Sequence, residues 1–222
     1  MTYRERIHAL LTPQEHHVLS PLSSSQRIQD YLDTLPINFE YARETCMSPR
    51  LVMRKKTAHC IEGAFLAAAA FLYHGRVPYL MDFQATLDDY DHVVTLFRER
   101  GKWGAVSKTN RAFLRYRDPI YKTPHELGMS YFNEYFLPDR GKKTLTCFSK
   151  PFSILRFDIA SWVTTEEDLN WLAEALDNAP HFPSPAKNIC LRPVSYTERR
   201  AMGLVDWRVR TSRYRRRRAS EI

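Results

Sequence analysis

Cys60 is the residue of this sequence with the most chemistry open to it. It stands between Thr57-Ala58-His59 and the remainder of the run CIEGAFLAAAAFLY (residues 60–73), a stretch of good helix formers that is apolar on every side. A cysteine in the first turn of such a helix has its sulfur beside amide protons the helix leaves unpaired and beside the positive end of the dipole. Both favour thiolate over thiol. A thiolate so prepared can attack a carbonyl carbon and form a covalent intermediate, a route that needs no cofactor. Cys46, Cys147 and Cys190 form no CxxC pair and read as small buried hydrophobes. His16-His17 and His59 have no partner at metal-ligand spacing, so no metal is expected. The acidic loop Asp88, Asp89 and Asp91 reads as a solvated turn, with attraction of an amine or a cation as its functional alternative.

The elements that must hold Cys60 follow from the flanking patterns. Ser-Pro-Leu-Ser-Ser-Ser before residue 26 offers helix caps, and Ile28, Tyr31, Leu32 and Leu35 repeat at helical spacing, which predicts a helix near 25–35 ended by Pro36. Gly75 after His74 is the C′ residue of the buried helix that Cys60 opens. Strand character follows at Val77–Phe83, His92–Arg98 and Trp103–Lys108, with Arg100-Gly101 as turn chemistry between the last two. The expected fold is therefore α+β, a central buried helix on an antiparallel β-sheet. Beyond residue 111 a C-terminal α/β extension is predicted, with a helix over Pro124–Phe136, a strand over Phe152–Phe157, and a helix from the capping box at Thr164-Thr165-Glu166-Glu167 to about Ala179.

Composition narrows the class. At 44% hydrophobic and 26% charged, 222 residues suffice for one ordinary core, so residues 1–207 read as a single domain with its extension. The longest apolar run, Ala64 to Tyr73, is half of the ~20 residues that cross a bilayer, and the N-terminal MTYRERIHALLTPQEHH has no leader-like apolar stretch. No membrane contact and a cytoplasmic location are expected. Net charge is +8, but the seven arginines of 208–222 against Glu221 hold six of those charges. This basic tail reads as a solvated extension or, through Arg213–Arg218, as a contact for nucleic acid or an acidic partner.

The segments TAHCIEGAFLAAAAFLYHGRVPYLMDF and DHVVTLFRERGKWGAVSKTN together resemble the core of the transglutaminase-like superfamily of papain-related cysteine enzymes, over residues 25–110. The family pattern is a cysteine opening a helix with an acidic and small residues behind it, a glycine near the helix end, a histidine opening a strand, a tryptophan in the returning strand, and an aspartate four residues later. Here these are Cys60, Glu62, Ala64, Gly75, His92 and Trp103, with Ser107 in the aspartate slot. The resemblance implies a Cys60 nucleophile and a His92 base, with Trp103 and His59 in the substrate or oxyanion neighbourhood. If Arg100-Gly101 is a two-residue turn, His92 faces Thr109 and Ser107 lies diagonal to it on the same side, as the orienter. A one-residue slip would instead bring Lys108 and Asn110 to that face, and an asparagine can orient a histidine. Asp91 points to the opposite face from His92, and Glu62 reads as a charge complementing the helix dipole.

Such a site performs acyl transfer on a protein, peptide or other amide substrate. Cys60 attacks the carbonyl, His92 protonates the leaving group, the Cys60 N–H meets the oxyanion, and the acyl group passes to water or to an amine. Ser107→Asp is expected to leave that transfer no weaker. The alternative is a catalytically degenerate transglutaminase-like protein that acts as a binding module, with the neutral Ser107 as its main support.

Overall fold

The computed structural model describes residues 1–183, 186 and 189–201, and the arginine-rich segment 208–222 lies outside the described residues. Two short helices not anticipated from the sequence open the chain, α1 (Tyr3–Leu10) and α2 (Pro13–Leu19). Each starts with a reciprocal capping box, Thr2 with Glu5 and Thr12 with Glu15. Helix α3 (Ser25–Thr34) begins at the Ser24 cap, where the serine cluster predicted it. Helix α4 (Pro49–Lys55) has Ser48 as cap and proline at its first position, and ends with Lys56 in the left-handed region at φ 54°.

Helix α5 (Cys60–Tyr73) is the buried centre, with every side chain from Glu62 to Tyr73 withdrawn from solvent. Its end is a Schellman motif. Gly75, at φ 73°, donates to Leu72 O (3.0 Å), and Arg76 donates to Phe71 O (2.9 Å). Thr95 Oγ1 donates to Ala64 O (2.7 Å) and the Phe71 and Phe97 rings stack at 5.4 Å, which lays α5 along the second strand with Cys60 near that strand's start.

Among the described residues, seven strands form one antiparallel sheet: β1 (Tyr79–Ala85), β2 (His92–Glu99), β3 (Lys102–Ser107), β4 (Arg117–Tyr121), β5 (Leu145–Ser149), β6 (Phe152–Ser153) and β7 (His181–Phe182). The order is β4-β3-β2-β1-β5-β7, with β6 also on β1. Glu99 pairs with Lys102, so Arg100 (φ 46°) and Gly101 (φ 79°) are the two turn residues, both left-handed as a twisted hairpin requires. Val94 then lies opposite Ser107, and His92 is one diagonal step away.

The extension is integral, since β5 and β6 pair with β1 and β7 with β5. Its helices are α6 (Pro124–Met129), α7 (Ile159–Val163), α8 (Asn170–Asp177) and α9 (Tyr196–Ala201). Three sequence expectations change here. The helix from Pro124 stops at Met129, because a short 3₁₀ turn (Phe132–Glu134) follows that lets Tyr131 donate to Arg115 O (2.8 Å) and Tyr135 to Tyr90 O (2.9 Å). The strand from Phe152 is two residues long and turns into a 3₁₀ segment at Ile154. The capping box at Thr164–Glu167 starts no helix, because Ser48 and Arg50 of the α4 region take the Thr165 and Thr164 carbonyls; α8 begins later, at Asn170. One apolar core surrounds α5, and a second fills the other sheet face around Phe83, Tyr131, Tyr135 and Phe148.

Candidate active site

Cys60 is the first residue of α5, half-buried, and opens onto a cavity of about 790 Å³ walled by residues 37–40, 88–91, 108–111, Tyr135 and 137–140. Its amide is among those that a helix's own ladder leaves without a partner. The imidazoles of His59 and His92 both hydrogen-bond to it. Burial opposes ionisation of the thiol, but these two hydrogen bonds and the rings' charge outweigh it and bring Cys60 down to about 5.

His92 is buried, and its Nε2 lies 2.8 Å from Ser107 Oγ. The Ser107 hydroxyl donates to Leu114 O (2.6 Å), so the oxygen it shows to His92 accepts the Nε2 proton. Nδ1 is then the ring nitrogen available to Cys60. Gln29 of α3 clamps the Ser107 backbone on both sides, taking its N–H and donating to its carbonyl, each at 2.9 Å. Leu114, whose carbonyl receives that hydroxyl, has a left-handed backbone at φ 61°, and Glu40 across the cavity has φ 52°. For residues with a Cβ each such conformation costs on the order of 1 kcal/mol.

The sequence-derived residues divide. Cys60, His59, His92 and Asn110 line the cavity and Ser107 stands behind His92. The hairpin register gives the His92 face to Ser107 rather than to Asn110. Asp91 accepts the Ala85 N–H (2.7 Å) instead. Trp103 is outside the site: it pairs with Arg98 near the hairpin turn and packs on Tyr79, six residues from His92, or roughly 20 Å along the strand. A strand residue so far from the dyad cannot serve as its platform. The acidic loop is tied down, with Asp88 paired to Arg140 and Lys142, and Asp89 to Arg111 and Thr144. Of the remaining cysteines, Cys46 is buried as expected and pushed up to about 12 by burial, whereas Cys147 is half-buried, donating to Gln84 Oε1, and Cys190 is exposed. His16 bonds the Tyr73 hydroxyl and the His8 carbonyl. Among the described residues no three His, Cys, Asp or Glu side chains gather as metal ligands would.

Two features were missed. Glu62 does more than complement a dipole. It is fully buried and its carboxylate accepts from Thr45 Oγ1 (2.8 Å), Met47 N (3.0 Å), His59 N (3.0 Å) and Asn38 Nδ2 (3.1 and 3.2 Å). Burial opposes its charge, yet these bonds, His59 foremost, hold it near 2; His59, against the same cost of burial, is raised to about 11 by its hydrogen bonds to Cys60 and Glu62. The H-x-x-E spacing at residues 59–62 was visible, but the irregular 38–47 segment that completes it was not. The second feature is Gly63. A Cβ there would sit 2.4 Å from Lys108 Cβ, so only glycine lets α5 approach the end of β3 this closely. Lys108 is itself buried, donating to the Leu32 (2.9 Å) and Leu35 carbonyls at the end of α3, and burial lowers it to about 8. No protein-family model matches the chain, and no curated protein matches it.

Proposed function

We propose that this protein is a cysteine-dependent acyl-transfer enzyme acting on an amide, of amidase, protease or transglutaminase type, with a transglutaminase-like, papain-related core. One observation carries the reading. The His92 ring bridges a neutral orienter, Ser107 Oγ at 2.8 Å, and the sulfur of a cysteine at the start of a buried helix, at a cavity wide enough for a peptide side chain.

The chemistry follows from that arrangement. The Cys60 proton passes to His92 Nδ1, and the thiolate adds to the carbonyl carbon, moving the C=O electron pair onto oxygen. The Cys60 N–H at the helix start meets that oxyanion. Collapse breaks the C–N bond, His92 returns the proton to the departing amine, and a thioester remains on Cys60. Water or a second amine then attacks the thioester, gives a proton to His92, and releases Cys60 as the proton returns to sulfur.

The test is the pH dependence of iodoacetamide alkylation at Cys60, read by mass spectrometry with Cys147 and Cys190 as internal references, followed by a screen of amides and glutaminyl peptides. Alkylation of Cys60 should rise through about pH 5, far below the ordinary thiol value of 9, and its midpoint should move upward in His92→Ala. Alkylation only near pH 9 would remove the nucleophile and leave the binding-module reading.

A further inference from the structure

We propose that His59 is a second catalytic histidine of this site, a permanent imidazolium locked by Glu62 that holds the Cys60 sulfur as thiolate while His92 alone moves protons. The inference rests on Cys60 being the nucleophile. Its first support is Glu62, a carboxylate with no exposure whose only ion pair among the described residues is with His59. A buried carboxylate without a cation carries a penalty of several kcal/mol, so the ring beside it is charged.

The ring's surroundings agree. His59 Nε2 meets only oxygen acceptors, the Thr45 carbonyl at 2.9 Å, Glu62 Oε1 at 3.3 Å and Glu40 Oε1 at 3.6 Å, while the same ring also hydrogen-bonds Cys60. Two carboxylate oxygens and a carbonyl around one ring nitrogen favour a proton there and a positive charge on the ring. His92 differs in kind, since its partner is a hydroxyl that carries no charge.

Other titratable groups do not supply the charge. Cys46 on the 38–47 segment, Asp82 on β1 and Tyr135 beyond β4 also act electrostatically on or feel Cys60, but burial pushes them to about 12, about 8 and well above 10, so near pH 6 all three are neutral. The fixed positive charge at the sulfur is then that of His59. The proton count also closes. The thiolate and the ionised Glu62 carry two negative charges and His59 one positive charge, and the proton that leaves sulfur passes to His92, so the transfer leaves the total unchanged. A carboxylate behind the base is then unnecessary, because the buried carboxylate stands behind the other ring, which accounts for a serine at 107.

The experiment measures Cys60 alkylation against pH in wild type, His59→Gln, Glu62→Gln and His92→Ala, together with ¹⁵N NMR of the His59 ring. In His59→Gln and Glu62→Gln the alkylation midpoint should rise by about two units, slowing the reaction at pH 6 roughly tenfold. The wild-type His59 ring should stay doubly protonated beyond pH 9 and titrate in the neutral range once Glu62 is glutamine. An unchanged alkylation midpoint in His59→Gln, or a wild-type ring that loses its proton near 6.5, overturns the proposal even if His92→Ala abolishes turnover and so upholds the broader reading. A wild-type Cys60 that alkylates only near pH 9 overturns both. Should His59→Gln fail to fold, the NMR titration of wild type decides alone.

Discussion

Ser107 shows how one hydroxyl divides its capacity. It gives its proton to Leu114 O and its lone pair to His92 Nε2, so both atoms of the O–H group are engaged. Ser107→Ala should lower kcat/KM about tenfold with little change in fold, the magnitude of one buried hydrogen bond lost behind the base. The structure reverses the expectation for Ser107→Asp. A carboxylate there would face the Leu114 carbonyl with no proton to donate, so this variant should be less active than wild type, and steady-state kinetics of the two variants side by side checks the ordering. Cys60→Ala should abolish transfer while the thermal midpoint shifts by no more than about 1 kcal/mol equivalent, because the side chain is small and half-buried. The pairing of His92 with Ser107 was legible in the residues, since Arg100-Gly101 sets the hairpin register locally. The pairing of His59 with Glu62 could be glimpsed only as a spacing, because its meaning depends on Asn38, Thr45 and Met47 closing around the carboxylate.

At the level of elements, the site depends on how α5 meets two neighbours. Gly63→Ala should destabilise by about 1–3 kcal/mol in chemical denaturation and reduce Cys60 reactivity, because Lys108 is tied to the end of α3 and its Cβ cannot yield easily. The 38–47 segment is fastened to α5 by Glu62, which is held at about 2 against an ordinary 4.5, and by His59, at about 11 against 6.5. The carboxylate's contribution is complete above pH 4.5 and is lost as pH falls through about 2; the ring's is complete below pH 6.5 and is lost as pH rises through about 11. Glu62→Gln should therefore destabilise most between pH 4.5 and 6.5, by about 3 kcal/mol, and less toward either extreme. Urea midpoints across that range measure it. Helices α3 and α5 and the β2–β3 hairpin were readable because caps, breakers and turn residues act over a few positions. Helix α8 was misplaced because the cap-like Thr164–Glu167 gives its carbonyls to α4, a contact between residues more than a hundred apart.

Across the whole molecule, charge and fold separate. The +6 carried by 208–222 is a local property of composition, and truncation after Trp207 should abolish any salt-sensitive binding to DNA or RNA without altering Cys60 alkylation; filter binding at two salt concentrations, with the truncated chain in parallel, tests this. No helix among the described residues is long and apolar enough to cross a membrane. The amino-acid pattern was enough to specify the α+β class, the buried helix headed by Cys60, its glycine-ended cap and the register that brings Ser107 to His92, because each depends on propensity, hydrophobic period or a turn of two residues. Three outcomes lay beyond it: the exclusion of Trp103 from the site, the pairing of the later strands with β1, and the buried ion pair beside the thiol. Each joins segments distant in sequence through packing and desolvation, and those energies exist only once the sheet and the 38–47 segment have enclosed the same volume.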